Sequence, residues 1–133
     1  MQSNVNAKRL RDLLQKPGLV RAPGAFDAWS ARLVEMAGFP AAYMTGYGAS
    51  ASVLGRPDIG LMTMSEMVTQ AKNMAAAVDI PLIADGDTGY GGVLNVIRTV
   101  QEFETAGVAG LQLEDQVFPK RCGHMEGKQL VSR

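Results

Sequence analysis

Between Val5 and Gln15 the residues Leu10, Leu13 and Leu14 share one side while Lys8, Arg9, Arg11 and Asp12 surround them, which predicts an amphipathic helix that stops before Pro17-Gly18. Leu19 to Ala22 follows as a short strand. Phe26, Trp29, Leu33 and Met36 then recur at helical spacing, and Gly38 supplies a terminating residue after Ala37. Ala41 to Thr45 reads as a second strand. Thr63-Met64-Ser65-Glu66 has the form of a capping box and opens a helix with Met67, Ala71, Met74 and Ala75 along one face. The apolar run Ile80 to Ala84 predicts a strand buried on both faces. Val93 to Ala106 is a further helix with Val96, Val100 and Phe103 inward, closed by Gly107, and Ala109 to Glu114 gives a fourth strand. Strands alternating with helices predict an α/β protein with a parallel sheet. No linker or low-complexity stretch interrupts residues 1–133, so a single domain without an internal boundary is expected.

Composition narrows the class of function. The chain has 133 residues, 13 basic and 13 acidic, with a net charge of zero, so it lacks the concentrated positive charge of a nucleic-acid binder. No apolar run approaches the roughly 20 residues of a membrane span, and the N-terminus has no signal-type apolar region. The basic residues at the start are read as a solvated helix face because Asp12 lies among them. One cysteine, Cys122, and one histidine, His124, provide neither a disulfide nor a structural zinc site. A reducing, cytoplasmic setting is therefore expected.

In parallel α/β proteins the ligand site lies beyond the carboxyl ends of the strands. Asp85 and Asp87 follow the third strand and Glu114 ends the fourth, with Asp58 in the preceding loop. Several carboxylates in one crevice call for a cation, and magnesium commonly takes only one or two of them directly. Asp85 is the expected direct ligand, with Asp58, Asp87 and Glu114 acting through water. The competing reading makes Asp85-Gly86 and Asp87-Thr88-Gly89 simple turns. Gly46-Tyr47-Gly48-Ala49-Ser50-Ala51 matches a dinucleotide-binding pattern only weakly, because Gly55 and Pro57 interrupt the helix that should follow. Asp85-Gly86-Asp87-Thr88 also fits the D-x-D-x-T pattern of haloacid-dehalogenase-like phosphatases, although that motif normally sits on a first strand. Cys122, flanked by Lys120, Arg121 and His124, lies in a cationic setting that eases release of a thiol proton, and an incidental thiol in an exposed basic loop is the alternative.

Taken together, these segments resemble the isocitrate lyase and phosphoenolpyruvate mutase superfamily. Lys120-Arg121-Cys122-Gly123-His124 is similar to its K-[KR]-C-G-H signature, and Asp85 to Gly91 to its D-x-D-x-G-[FY]-G metal loop. Tyr43-Met44-Thr45-Gly46 resembles Y-x-S-G, and Arg56-Pro57-Asp58 resembles L-P-D. The resemblance implies a (β/α)8 barrel that binds Mg2+, or Mn2+, and a small 2-hydroxy or 2-oxo carboxylic acid, and that forms a homo-oligomer, a tetramer in the family. Thr45, Gly46 and Tyr47 would bind the substrate carboxylate, with Lys120, Arg121 and Gly123 also at the substrate. Cys122 would be the general acid, and Tyr43 and His124 would stabilise charge or relay protons. The signature favours the methylisocitrate lyase-like and dimethylmalate lyase-like branch over the mutases and oxaloacetate decarboxylases. Thr45 in place of Ser, and Tyr47 in place of Gly or Ala, would narrow the pocket. A complete barrel takes about 250 residues, so the expectation is its N-terminal half, about four βα units. An inactive half-barrel associating through its edges is the non-enzymatic alternative.

Overall fold

The computed structural model describes residues 5–132. Helix α1 (Val5–Leu14) precedes β1 (Gly24–Ala25), α2 (Ala28–Met36), β2 (Ala42–Met44), α3 (Gly46–Leu54), α4 (Met64–Ala77), β3 (Leu82–Asp85), α5 (Val93–Thr105) and β4 (Gly110–Gln112). The four strands are parallel and lie in chain order, β1-β2-β3-β4. Right-handed crossovers that always advance in the same direction put every covering helix on one face of a sheet. Accordingly α2 packs on α4 and α4 on α5. A doubly wound sheet would reverse its order and carry helices on both faces. The sequential order is that of half a (β/α)8 barrel.

The strand period of two divides the faces cleanly. Ala25, Ala42, Met44, Leu82 and Ala84 point to the helices and form the core with Met67, Ala71, Met74 and Phe103. Gly24, Tyr43, Ile83 and Gly110 are register partners across the four strands and lie in one row on the other face. Helix α1 sits near the amino ends of β3 and β4: Arg9 donates to the Asp79 carbonyl at 2.8 Å, and the Leu10 Cδ2 is 3.0 Å from the point a Cβ on Gly110 would occupy.

Several expectations shift. The first strand is Gly24–Ala25 rather than Leu19 to Ala22, and Leu19 is exposed. Pairing begins at the Pro23 carbonyl, which accepts the Tyr43 N–H at 3.0 Å, and continues at the Ala25 carbonyl, which accepts the Thr45 N–H at 3.0 Å. Helix α2 starts after Asp27, whose carboxylate accepts the Ser30 N–H at 2.7 Å, so Phe26 lies outside it. Its small and branched residues Ala31 and Val34 are buried, whereas Trp29, Leu33 and Met36 are exposed. On α5 the inward position expected for Val100 is taken by Thr99, whose hydroxyl donates to the Gly89 carbonyl at 3.0 Å. Helix α3 is an addition to the expected elements. Thr45 caps it by accepting the Gly48 N–H at 3.3 Å, and Gly55 ends it in the left-handed region at φ 61°.

The capping box on α4 forms as expected: Thr63 and Glu66 bond reciprocally, with the Thr63 N–H donating to Glu66 at 2.8 Å and the Glu66 N–H to Thr63 at 3.3 Å. Thr63→Ala is expected to lower stability by about 1 kcal/mol, read as a lower urea midpoint at unchanged slope.

Candidate active site

Asp85 ends β3 and is fixed by two backbone amides: the Asp87 N–H donates to Oδ1 at 2.9 Å and the Gly46 N–H to Oδ2 at 3.3 Å. The second bond requires α3 to start very close to β3. A Cβ on Gly46 would lie 2.6 Å from Asp85 Oδ2, so only glycine admits this approach. Asp87 is held in the left-handed region at φ 49°, Tyr90 likewise at φ 59°, and the Asp87 carbonyl accepts the Glu114 N–H at 2.8 Å. Asp58 arrives from the turn after α3, where the Ser50 hydroxyl contacts the Arg56 and Pro57 carbonyls at 3.0 and 3.1 Å. Thus β3, β4 and the α3–α4 turn bring Asp58, Asp85, Asp87 and Glu114 to the carboxyl end of the sheet.

Lys120 reaches into this group. Its Nζ lies 2.6 Å from Asp58 Oδ1 and 2.5 Å from Asp87 Oδ1, and only 2% of the residue is exposed. Burial works against its charge, but the bonds to Asp58 and Asp87 outweigh it and hold the ammonium above the usual lysine range. Burial pushes Asp85 and Asp87 upward, against the pull of the Asp87 N–H on the first and of Lys120 on both. Tyr43 and Tyr90 are raised by burial and then by the neighbouring carboxylates, so both remain neutral phenols. Four carboxylates therefore face one ammonium, an all-oxygen donor group with an excess of negative charge that suits a hard divalent cation. Among the described residues no three His, Cys, Asp or Glu side chains converge as a direct ligand set.

The segment after β4 carries Cys122, which is 8% exposed, with its Sγ 3.6 Å from His124 Nδ1.

Comparison with known proteins bears on this arrangement. The sequence model of the phosphoenolpyruvate phosphomutase family matches residues 10–132. The chain belongs to this family. It is 56% identical to the 2,3-dimethylmalate lyase of Eubacterium barkeri over 127 residues, which is 96% of this chain and 44% of that protein. It is 53% identical to the isocitrate lyase of Haloferax volcanii, covering 98% of this chain and 38% of that protein. The solved structure of oxaloacetate acetylhydrolase with the inhibitor 3,3-difluorooxalacetate superposes with a TM-score of 0.93 at 46% identity, over 97% of this chain and 44% of that one. The chain thus spans less than half the length of these relatives.

Within the phosphomutase family's half-barrel, the expected site residues do not all stand alike. Tyr43 lies on the sheet face opposite the helices, in the row described above, and feels Asp85 and Glu114. Gly46 was expected to offer its amide to a substrate carboxylate, but that N–H is given to Asp85. The Thr45 hydroxyl is engaged as a cap. Tyr47 is exposed, and its N–H has no acceptor among the described residues. Lys120, expected at the substrate, is paired with Asp58 and Asp87, whose carboxylates make its burial tolerable. Arg121 is exposed and donates to the Glu126 carbonyl at 2.9 Å, and Gly123 is exposed. The α3 helix follows β2 directly and stops at Gly55, where its interruption was expected, and the Asp85 carboxylate occupies its first free amide, which disfavours a pyrophosphate there. Gln116 and Tyr90 were missed. Gln116 carried no signal beyond its position after Glu114-Asp115, and Tyr90 stands at the aromatic position of the metal-loop resemblance without a role of its own.

Gly46→Ala is expected to cost about 1–3 kcal/mol through overpacking against Asp85, measured by urea unfolding, while Gly123→Ala, where a Cβ meets open space outside any helix or strand, serves as the tolerated control.

Proposed function

We propose that these four βα units form the metal-side half of a magnesium-dependent carbon–carbon lyase, which cleaves a substituted 2-hydroxy di- or tricarboxylate of the methylisocitrate or dimethylmalate type. The products are a 2-oxo acid, pyruvate or glyoxylate, and an acid with one carboxylate fewer than the substrate: a monocarboxylate from a dimethylmalate-type diacid, a dicarboxylate from a methylisocitrate-type triacid. The observation that carries this reading is the buried Cys122, paired with His124 on a loop tied by Lys120 to the carboxylate cluster. Membership of the phosphomutase family and the likeness to a dimethylmalate lyase support it.

Asp85 would hold the ion directly, with Asp58, Asp87 and Glu114 reaching it through water. A Mg2+ or Mn2+ ion there supplies positive charge beside the substrate oxygens as they become more negative. The α3 amino end, with the Tyr47 N–H unengaged among the described residues, suits a substrate carboxylate through the helix dipole. Tyr43 keeps its proton and so acts as a hydrogen-bond donor to an oxyanion. The substrate hydroxyl gives its proton to a water held at the carboxylate cluster and becomes the keto oxygen of the 2-oxo acid; the electron pair of the broken carbon–carbon bond stays on the carbon of the departing carboxylate fragment, and the Cys122 Sγ–H delivers the proton that quenches it. His124, 3.6 Å from the sulfur, is placed to reprotonate the thiol.

A covalent phosphatase fits less well. Both Asp85 oxygens accept backbone amides, and the D-x-D-x-T segment lies on the third strand of a sequentially ordered sheet.

In the complete barrel, release of pyruvate or glyoxylate from such hydroxy acids is expected only with Mg2+ or Mn2+ and is lost to EDTA. Cys122→Ser should lower kcat by about 100-fold or more. Full turnover of that variant, or an aspartyl-fluoroberyllate adduct on Asp85, overturns the reading. For this chain alone, Mn2+ titration should show Asp85→Asn weakening binding by at least about tenfold.

A further inference from the structure

The loop that bears Cys122 leaves β4 and returns to its own start. The Val117 N–H donates to the Gln129 carbonyl at 2.8 Å, the Val131 N–H to the Asp115 carbonyl at 2.9 Å, and Gln116 and Leu130 form an antiparallel bridge. Such a base closes a loop without fixing where its tip lies. The tip is nonetheless well placed: Cys122 is buried although Arg121, Gly123 and His124 on either side are exposed.

Two side chains account for this. Gln116, buried at 7% exposure, donates from Nε2 to the Glu114 carboxylate and to the Arg121 carbonyl at 2.9 Å, while its Oε1 accepts the Arg121 N–H at 3.0 Å. It therefore serves both backbone groups of Arg121 and one site carboxylate at once. Only a neutral primary amide does this: a carboxylate in its place has no donor and would face Glu114 with like charge. Lys120, one residue before Arg121, spans Asp58 and Asp87. Three of the four site carboxylates are thus bonded to the two residues that precede Cys122 or to the side chain that holds them.

We propose that Gln116 and Lys120 are positioning residues that clamp the loop onto Glu114, Asp58 and Asp87 and so hold Cys122 shielded above the carboxylate cluster. The meaning of that placement for proton transfer rests on the lyase reading, whereas the clamp itself is tested without turnover.

Cys122 is the only cysteine, so the reaction of the 133-residue chain with dithionitrobenzoate reports on this site alone. Gln116→Glu and Lys120→Met are each expected to raise the rate at least tenfold with unchanged helical circular dichroism. Met125→Ala, in the same loop but outside the clamp, should label at the native rate. Removing a cation near a thiol by itself slows such labelling, so an increase in Lys120→Met separates release from electrostatics. Lys120→Gln replaces that variant if it loses helical signal. Combining Lys120→Met with Asp58→Asn should add little to either alone. Native labelling rates in the folded Gln116→Glu and Lys120 variants, or native Cys122 reacting as fast as in urea, would overturn the proposal. Loss of turnover in the complete barrel with the clamp intact would instead count against the lyase reading.

Discussion

Carboxylates gathered at the carboxyl ends of adjacent parallel strands repel one another, and burial makes each of their charges harder to keep. Much else in this chain answers that constraint. Gly46 lets a helix amide approach Asp85, the backbone at Asp87 turns into the left-handed region to bring a second amide, and Lys120 is drawn out of solvent to stand between Asp58 and Asp87. Glycine, turn and lysine lie far apart in sequence, yet each is explained by the same excess of negative charge. What remains unbalanced is suited to a divalent ion.

The fold was largely legible because its signals are local. The capping box at Thr63, the apolar run before Asp85 and the inward Phe103 each identify their element from neighbours a few residues away. The misreadings share a different cause. Trp29, Leu33 and Met36 look like a core stripe, but α2 turns Ala31 and Val34 to the core and leaves those three exposed. Helix α3 carries two glycines, one of which is there for Asp85 rather than for a turn. For the site, composition and position marked the carboxylates, since acidic residues after strands are conspicuous. The role of Lys120 was not legible, because a lysine beside Arg121 and Cys122 gives no sign that its ammonium is buried. Gln116 was invisible for a similar reason: its importance lies in three hydrogen bonds, and an amide side chain announces none of them.

The sheet face away from the helices has its own logic. Gly24, Tyr43, Ile83 and Gly110 run small, large, large, small across the four strands, on the face whose side chains would fill the interior of a closed barrel. β1 and β4 stand at the two edges of the sheet. In a curved sheet of this kind the same row that would pack an interior also carries Tyr43, so filling that interior and orienting a phenol toward Asp85 and Glu114 are one structural task.

The sequential strand order has a consequence for how the chain acquires this structure. Every strand pairs with the next one in the chain, and each covering helix meets the helix of the following unit. No pairing waits for a distant segment to arrive, so the entropy of closing long loops is met in small instalments. Assembly can then proceed one βα unit at a time from either end, as in a stack of repeats. The carboxylate cluster, which draws on the α3–α4 turn, β3 and the residues after β4, forms only once the last three units have joined.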